Sequence, residues 1–167
     1  MTVSEAIRAR RSVRKYKEGA EVSDEQIRQL FEAAMLAPSA ANGRPWEFVV
    51  VKGREAMEEL AKAHGIARML STASCCIVVC GLPDASERAK HFFPQDCAAA
   101  TENILLQAVE LGLATCWCGV WPVDERVENV KRVLGVDSTP FNLIAVGVAD
   151  EAPDAKGFFD PEKVKYF

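Results

Sequence analysis

Three guanidinium groups and a hydroxyl fall within five residues near the start of this chain, in the stretch Arg10-Arg11-Ser12-Val13-Arg14. Arginine offers a rigid, planar fork of N–H donors that matches phosphate oxygens two at a time, and a serine hydroxyl adds a further donor. The protein as a whole is mildly acidic, with a formal net charge of -4, so this basic block is a local feature. It has two readings. It is an anion site, or it is a set of arginines decorating the negative end of a first helix. The choice between them depends on the rest of the chain.

The other residue types that do chemistry narrow the field. There are six cysteines. Cys75, Cys76 and Cys80 lie in the apolar run Cys75-Cys76-Ile77-Val78-Val79-Cys80, where they behave as small buried hydrophobes. Cys116 and Cys118 are separated by one residue, too close for an unstrained disulfide, and no nearby second pair completes a zinc site, so no metal is expected. A thiol-redox protein built on that pair, or a nucleophilic pairing of Cys97 or Cys116 with His91, are lesser alternatives; His64 and His91 are isolated in sequence. No serine stands in a Gly-x-Ser-x-Gly turn, and neither a Walker loop nor a Gly-x-Gly-x-x-Gly segment is present. What remains is the basic cluster, a loop of small residues (Pro38-Ser39-Ala40-Ala41-Asn42-Gly43-Arg44-Pro45-Trp46) and an apolar run that ends at Gly119. Those features suit a bound cofactor that carries the chemistry, with the protein supplying position and electrostatics.

The elements that must position them are legible in outline. Thr2 with Glu5, and Ser23 with Gln26, have the spacing of capping boxes. A short helix with Val3, Ala6 and Ile7 inward should deliver the arginines at its end, and residues 15–22 read as an exposed loop. Ile27, Leu30, Phe31 and Ala34 mark a second, amphipathic helix that stops before Pro38. Residues 47–51 form a strand with Trp46 as a packing anchor. A helix follows over 54–64 with Met57, Leu60 and Ala61 inward, then a short helix within 65–74. Residues 75–82 have the continuous apolar character of a buried central strand. The segment 84–95 reads as a polar, variable loop containing Phe92-Phe93-Pro94, an aromatic pair that covers a pocket or packs on the core. Asp96 should cap the next helix, apolar almost all round and closed by Gly112. A strand over 114–119, a helix opening at Asp124 with Val127, Val130 and Leu134 inward, and a last strand over 141–148 complete the series. The order predicts a layered sheet covered by helices. The tail, 149–167, carries Phe158, Phe159, Val164, Tyr166 and Phe167, too apolar for a solvated end, and should wrap against something such as a partner subunit.

At 167 residues the chain is expected to form a single domain, 1–167, with a sizeable core. Its acidity argues against nucleic acid as a partner. No apolar run is long enough to cross a bilayer, so no membrane partner is expected. The start, Met1-Thr2-Val3-Ser4-Glu5, lacks the basic-then-apolar pattern of a signal peptide, and a cytoplasmic protein is the expectation.

With these motifs in order, the sequence resembles the nitroreductase family of flavin enzymes over essentially its whole length. The landmarks are Arg10 to Arg14, Pro38 to Trp46, Gly112-Leu113-Ala114-Thr115-Cys116-Trp117-Cys118-Gly119, and Phe159-Asp160-Pro161-Glu162-Lys163-Val164. The resemblance implies an α+β, three-layer α/β/α fold: a central mixed, mostly antiparallel sheet flanked by helices, with a C-terminal extension crossing to the partner subunit. It implies FMN, with Arg10, Arg11, Ser12 and Arg14 at the phosphate and ribityl chain, and Lys156 reaching the phosphate from the tail. Pro38, Ser39 and Ala40 lie along the flavin and Asn42 at its polar edge, supplied by the other subunit of a homodimer with FMN at the interface. Backbone N–H groups of Cys118 and Gly119 approach flavin N5, and no side chain is catalytic. Hydride passes from NADH or NADPH to N5, then to a small-molecule electron acceptor such as a nitroaromatic or quinone, in a ping-pong cycle. Segment 84–95 and Arg44 are the expected specificity determinants. Where related tails carry a second basic residue, Gly157 and Phe158 follow Lys156, which shifts weight to the N-terminal arginines. The alternative use of the same site is a flavin-binding or sensing module without NAD(P)H activity.

Overall fold

The computed structural model describes residues 1–167. Helices α1 (Val3–Ala9), α2 (Asp24–Met35), α3 (Arg54–His64), α4 (Glu87–Glu110) and α5 (Asp124–Leu134) surround strands β1 (Trp46–Val51), β2 (Cys75–Gly81), β3 (Ala114–Gly119) and β4 (Thr139–Gly147). The strands form one sheet in the order β1-β2-β4-β3, and every neighbouring pair is antiparallel. The expected mixed character reduces to one parallel bridge outside the strands, between Ser12 and Thr115.

Side-chain alternation along β2 explains the three layers. Cys75, Ile77 and Val79 turn to one face, where Ile27, Leu30 and Ala34 of α2 and Cys97, Ala100 and Ile104 of α4 cover them. Cys76, Val78 and Cys80 turn to the other, under Met57 and Leu60 of α3 and Val127 and Val130 of α5. A strand buried on both faces has no polar side of its own, hence its uniformly apolar sequence.

Both capping boxes form: Thr2 and Ser23 accept from the N–H groups of Glu5 and Gln26, whose side chains accept in return from the cap N–H groups. Three expectations are corrected. First, 84–95 is no loop. After a short 3-10 turn at Pro83–Ala85, α4 begins at Glu87 and runs through Pro94. Ala89, Phe93, Asp96, Cys97, Ala100 and Ile104 form one buried stripe across the proline, so tertiary packing outweighs proline's unfavourable helix propensity. Second, Ser86, not Asp96, caps this helix, accepting from the Ala89 N–H at 3.0 Å. Third, only Ala6 of α1 is buried, while Val3 and Ile7 stand 73% and 57% exposed. The helix touches α4 along one edge, and its apolar i, i+4 pair faces outward. The tail likewise leaves Phe158, Phe159, Tyr166 and Phe167 exposed on this chain. No helix is long and apolar enough to cross a membrane.

Candidate functional site

α1 hands the chain directly to the basic stretch. Beyond its end the backbone is extended, and Val13 and Tyr16 drop into the core while the residues between them stay outside. The Val13 N–H donates to the Thr115 carbonyl at 3.0 Å, which stitches the stretch to the open edge of β3. Tyr16 O–H donates to the Val13 carbonyl at 2.7 Å, and burial pushes its hydroxyl well above the ordinary phenol range. On the tail side, the Glu151 carboxylate accepts from the backbone N–H groups of Arg14 and Lys15. The basic stretch is thus clasped between β3 and the start of the tail. Neither contact has a signal in sequence, because each joins residues more than 100 positions apart.

Period-two alternation sends Arg10, Ser12 and Arg14 to one side and Arg11 and Val13 to the other. Arg11 turns back, its Nη1 donating to the carbonyls of Arg8 at 2.6 Å and Arg10 at 2.7 Å. For Arg11 the helix-end reading is the right one, since its guanidinium caps orphan carbonyls at the end of α1. The others are lightly engaged. Arg14 Nη1 reaches only the Ser12 carbonyl at 3.2 Å, and Arg10 Nε lies 3.7 Å from Glu102, both side chains partly exposed.

Arg10, Arg11, Ser12 and Arg14 line a cleft of about 870 Å³ together with Lys156, Gly157 and Phe158 of the tail. Arg8 lines it too, a cation that sequence reasoning missed. Its spacing of two from Arg10 in a helix-to-strand junction was the available clue. The volume is that of a small-ligand site. Lightly engaged guanidinium groups, a hydroxyl and an ammonium form a donor set suited to a phosphate dianion.

The small-residue loop lies elsewhere on the same chain. Ala41, Asn42 and Arg44 adopt left-handed backbone, with φ of 52°, 55° and 50°, unusual for residues with a Cβ. Two side-chain hydrogen bonds reinforce the backbone bonds of the loop. The Ala40 N–H donates to Asp96 Oδ1 at 3.0 Å and the Arg44 N–H to Ser39 Oγ at 3.0 Å. Asp96 is buried on α4, and its Oδ2 has no partner. Asp96→Ala should therefore cost about 1–3 kcal/mol of stability, and Ala41→Gly should add about 0.5–1 kcal/mol by removing left-handed strain. Denaturant unfolding of the two variants should show opposite shifts in midpoint, and equal midpoints would contradict this account. Pro38, Ser39, Ala40 and Asn42 do not line the cationic cleft of their own chain.

At the far end of β3, Val120 N–H donates to the Phe141 carbonyl at 3.0 Å. Antiparallel pairing alternates inward and outward along the strand. With Cys118 opposite Leu143 and Gly119 opposite Asn142, Cys118 turns its N–H into the ladder and Gly119 turns its N–H to the open edge. Of the two expected donors, only Gly119 is placed to serve. A Cβ built on Gly119 meets nothing within 4 Å, so the chain's own packing does not require glycine there, and a flat ligand has room to approach the backbone.

The cysteines point away from this chemistry. All six are unpaired and buried. Cys118 Sγ sits 3.5 Å from Met69 Sδ, and its thiol is pushed far above the ordinary range by hydrogen bonding to Cys116 and by burial. Cys97 is wholly buried while His91 is exposed on the same helix, so that pair does not assemble. His64 is buried at the end of α3 and accompanies Gly119 instead, its Nε2 lying 2.8 Å from the Gly119 carbonyl.

A model of the nitroreductase family matches residues 7–66 and 62–148. A protein of Methanothermobacter thermautotrophicus named "Putative NADH dehydrogenase/NAD(P)H nitroreductase" is 40% identical over 166 residues, 98% of this chain and 86% of that protein. The solved structure of a protein of the same name from Parabacteroides distasonis is 37% identical and superposes with a TM-score of 0.92 over 98% of this chain and 96% of that one. An "FMN-dependent Nitroreductase" from Clostridium difficile is 30% identical, with a TM-score of 0.87 and 96% of each chain covered.

Proposed function

The chain belongs to the nitroreductase family, and from that membership together with the cationic cleft we propose a cytoplasmic, FMN-dependent oxidoreductase that takes electrons from NADH or NADPH and passes them to a nitroaromatic, quinone or similar small acceptor in a ping-pong cycle. The observation that carries the reading is the convergence of Arg10, Ser12, Arg14 and Lys156 on one cleft of about 870 Å³, stitched to the strand that turns the Gly119 N–H outward.

In this reading the whole of 1–167 is one FMN-binding unit. Arg10 and Arg14, with Ser12 and Lys156, grip the phosphate, and Arg8 offsets the absent second tail cation. Arg11 secures the helix end from which the grip extends. The Gly119 N–H offers a donor at flavin N5. FMN, held by these residues, would supply the two-electron redox chemistry that links the nicotinamide to the acceptor. No side chain need transfer a proton strongly, which agrees with His64 being buried, with its pKa lowered by burial.

A homodimer completes the site. Since Pro38, Ser39, Ala40 and Asn42 lie off the cleft of their own chain, they reach a flavin when supplied by a second copy. The outward Val3 and Ile7, exposed Met35 and Leu36, and the tail aromatics are apolar surface that such a partner would cover.

Purified protein is expected to be yellow, to bleach without oxygen on addition of NADH or NADPH, to recover its colour with a quinone, and to elute as a dimer. A yellow protein inert to both nucleotides would leave only a flavin-binding module. A colourless protein inactivated by thiol alkylation would replace the flavin reading with a cysteine-based one.

A further inference from the structure

The Gly119 carbonyl carries two donors from elements on one side of the sheet. His64, the last residue of α3, brings Nε2 to 2.8 Å, and Arg126, in the first turn of α5, brings Nη1 to 3.3 Å. This is the ring's one hydrogen bond, because His64 Nδ1 is buried without a partner. A half-satisfied buried imidazole is an unfavourable thing to keep for packing alone.

Within a strand residue, N–H and C=O point to the same side. At the open edge of β3, Gly119 therefore presents a donor and an acceptor together. With the acceptor engaged by His64 and Arg126, the donor is the group left for a ligand. Glycine lacks the side chain that would restrict its backbone, and Gly119 is the last, exposed residue of β3. The next peptide N–H, that of Val120, donates to the Phe141 carbonyl, so what His64 and Arg126 govern is the charge on the Gly119 carbonyl rather than its direction.

We infer that His64 and Arg126 are positioning residues. By holding the Gly119 carbonyl they engage the acceptor that lies beside the outward N–H, leave that N–H as the free group for the redox-active edge of the bound flavin, and so set how readily that flavin is reduced. This rests on the FMN reading above. Without these two donors the lone pairs of the Gly119 carbonyl stand unengaged on the same side as its N–H, where they oppose the build-up of negative charge on reduction.

The test is the midpoint potential of protein-bound FMN, measured by dye-coupled titration in the holoprotein and in His64→Leu, His64→Gln and Arg126→Met. With flavin stoichiometry retained, His64→Leu should shift the oxidised–reduced equilibrium about tenfold toward the oxidised form, about 30 mV for a two-electron couple. Arg126→Met should shift it in the same direction. His64→Gln, whose amide N–H replaces Nε2–H, should restore most of the potential. Wild-type potentials in both His64→Leu and Arg126→Met, with FMN bound, would overturn the inference. If His64→Leu does not fold, Arg126→Met decides, since that side chain is partly exposed. Failure of the unmodified protein to bind FMN or to be reduced by either nucleotide refutes the functional reading itself, before any variant is compared.

Discussion

The Arg10→Ala/Arg14→Ala double variant is expected to purify folded and without flavin. Neither guanidinium holds the fold together. Arg14 reaches only the Ser12 carbonyl at 3.2 Å. Arg10 lies 3.7 Å from Glu102 with both side chains partly exposed, a solvent-screened pair worth at most about 1 kcal/mol. Toward a phosphate dianion, each guanidinium makes charge-assisted hydrogen bonds worth about 1.5–3 kcal/mol. Each single variant should thus bind FMN about ten- to a hundredfold more weakly, and the double variant more weakly still. Flavin fluorescence titration gives the affinities, and circular dichroism with a thermal melt shows that the fold survives. Arg11→Ala is the matched control. Its guanidinium is spent on the Arg8 and Arg10 carbonyls, so it should lose some stability of α1 and little flavin affinity. Full flavin content in the double variant would refute the phosphate assignment.

A second large effect is expected far from the cleft. Gly81→Ala should destabilise the protein by about 2–4 kcal/mol, lowering its melting temperature by about 5–15 °C. A Cβ at Gly81 would lie 2.2 Å from Cδ2, 2.7 Å from Cε2 and 3.1 Å from Cγ of Phe93. That ring is no loose end. It is 6% exposed and meets Trp121 edge-on, with centroids 5.7 Å apart. Either the phenyl group leaves the core or β2 shifts away from α4. In a Phe93→Ala background the ring is gone, so adding Gly81→Ala should cost much less, a coupling that a double-mutant cycle measures. Equal costs in both backgrounds would show that the ring moves aside freely.

Features encoded within a few residues of one another are legible in the sequence itself. Thr2 with Glu5 and Ser23 with Gln26 are local hydrogen-bond cycles, and both formed. The uniform apolarity of 75–81 marked a strand covered on both faces. The basic stretch and Lys156 stand out in sequence by residue type, and the fold gathers them on one cleft. Misreadings came where tertiary contacts overrule a local signal. Pro94 argued for a loop, yet the buried stripe from Ala89 to Ile104 runs through it; that stripe was present in sequence and outweighed the proline. Val3 and Ile7 have helical spacing, but spacing alone does not say which side of α1 meets α4. Asp96 looked like a cap because it precedes an apolar run, whereas its carboxylate holds the Ala40 N–H 56 positions earlier. His64 had no partner in sight, because the Gly119 carbonyl is 55 residues away.

The Ser12–Thr115 bridge makes one stretch of chain unusually intolerant of changes in length. It pins the arginine-rich segment to Thr115, and the outward N–H sits four residues on at Gly119. Inserting or deleting one residue between them reverses the alternation and turns that N–H into the ladder. Inserting two restores its direction but moves it about 7 Å farther along the strand. Side chains along this segment are free to change without altering where its backbone groups point, whereas its residue count is tied to the spacing between the Thr115 anchor and the Gly119 N–H.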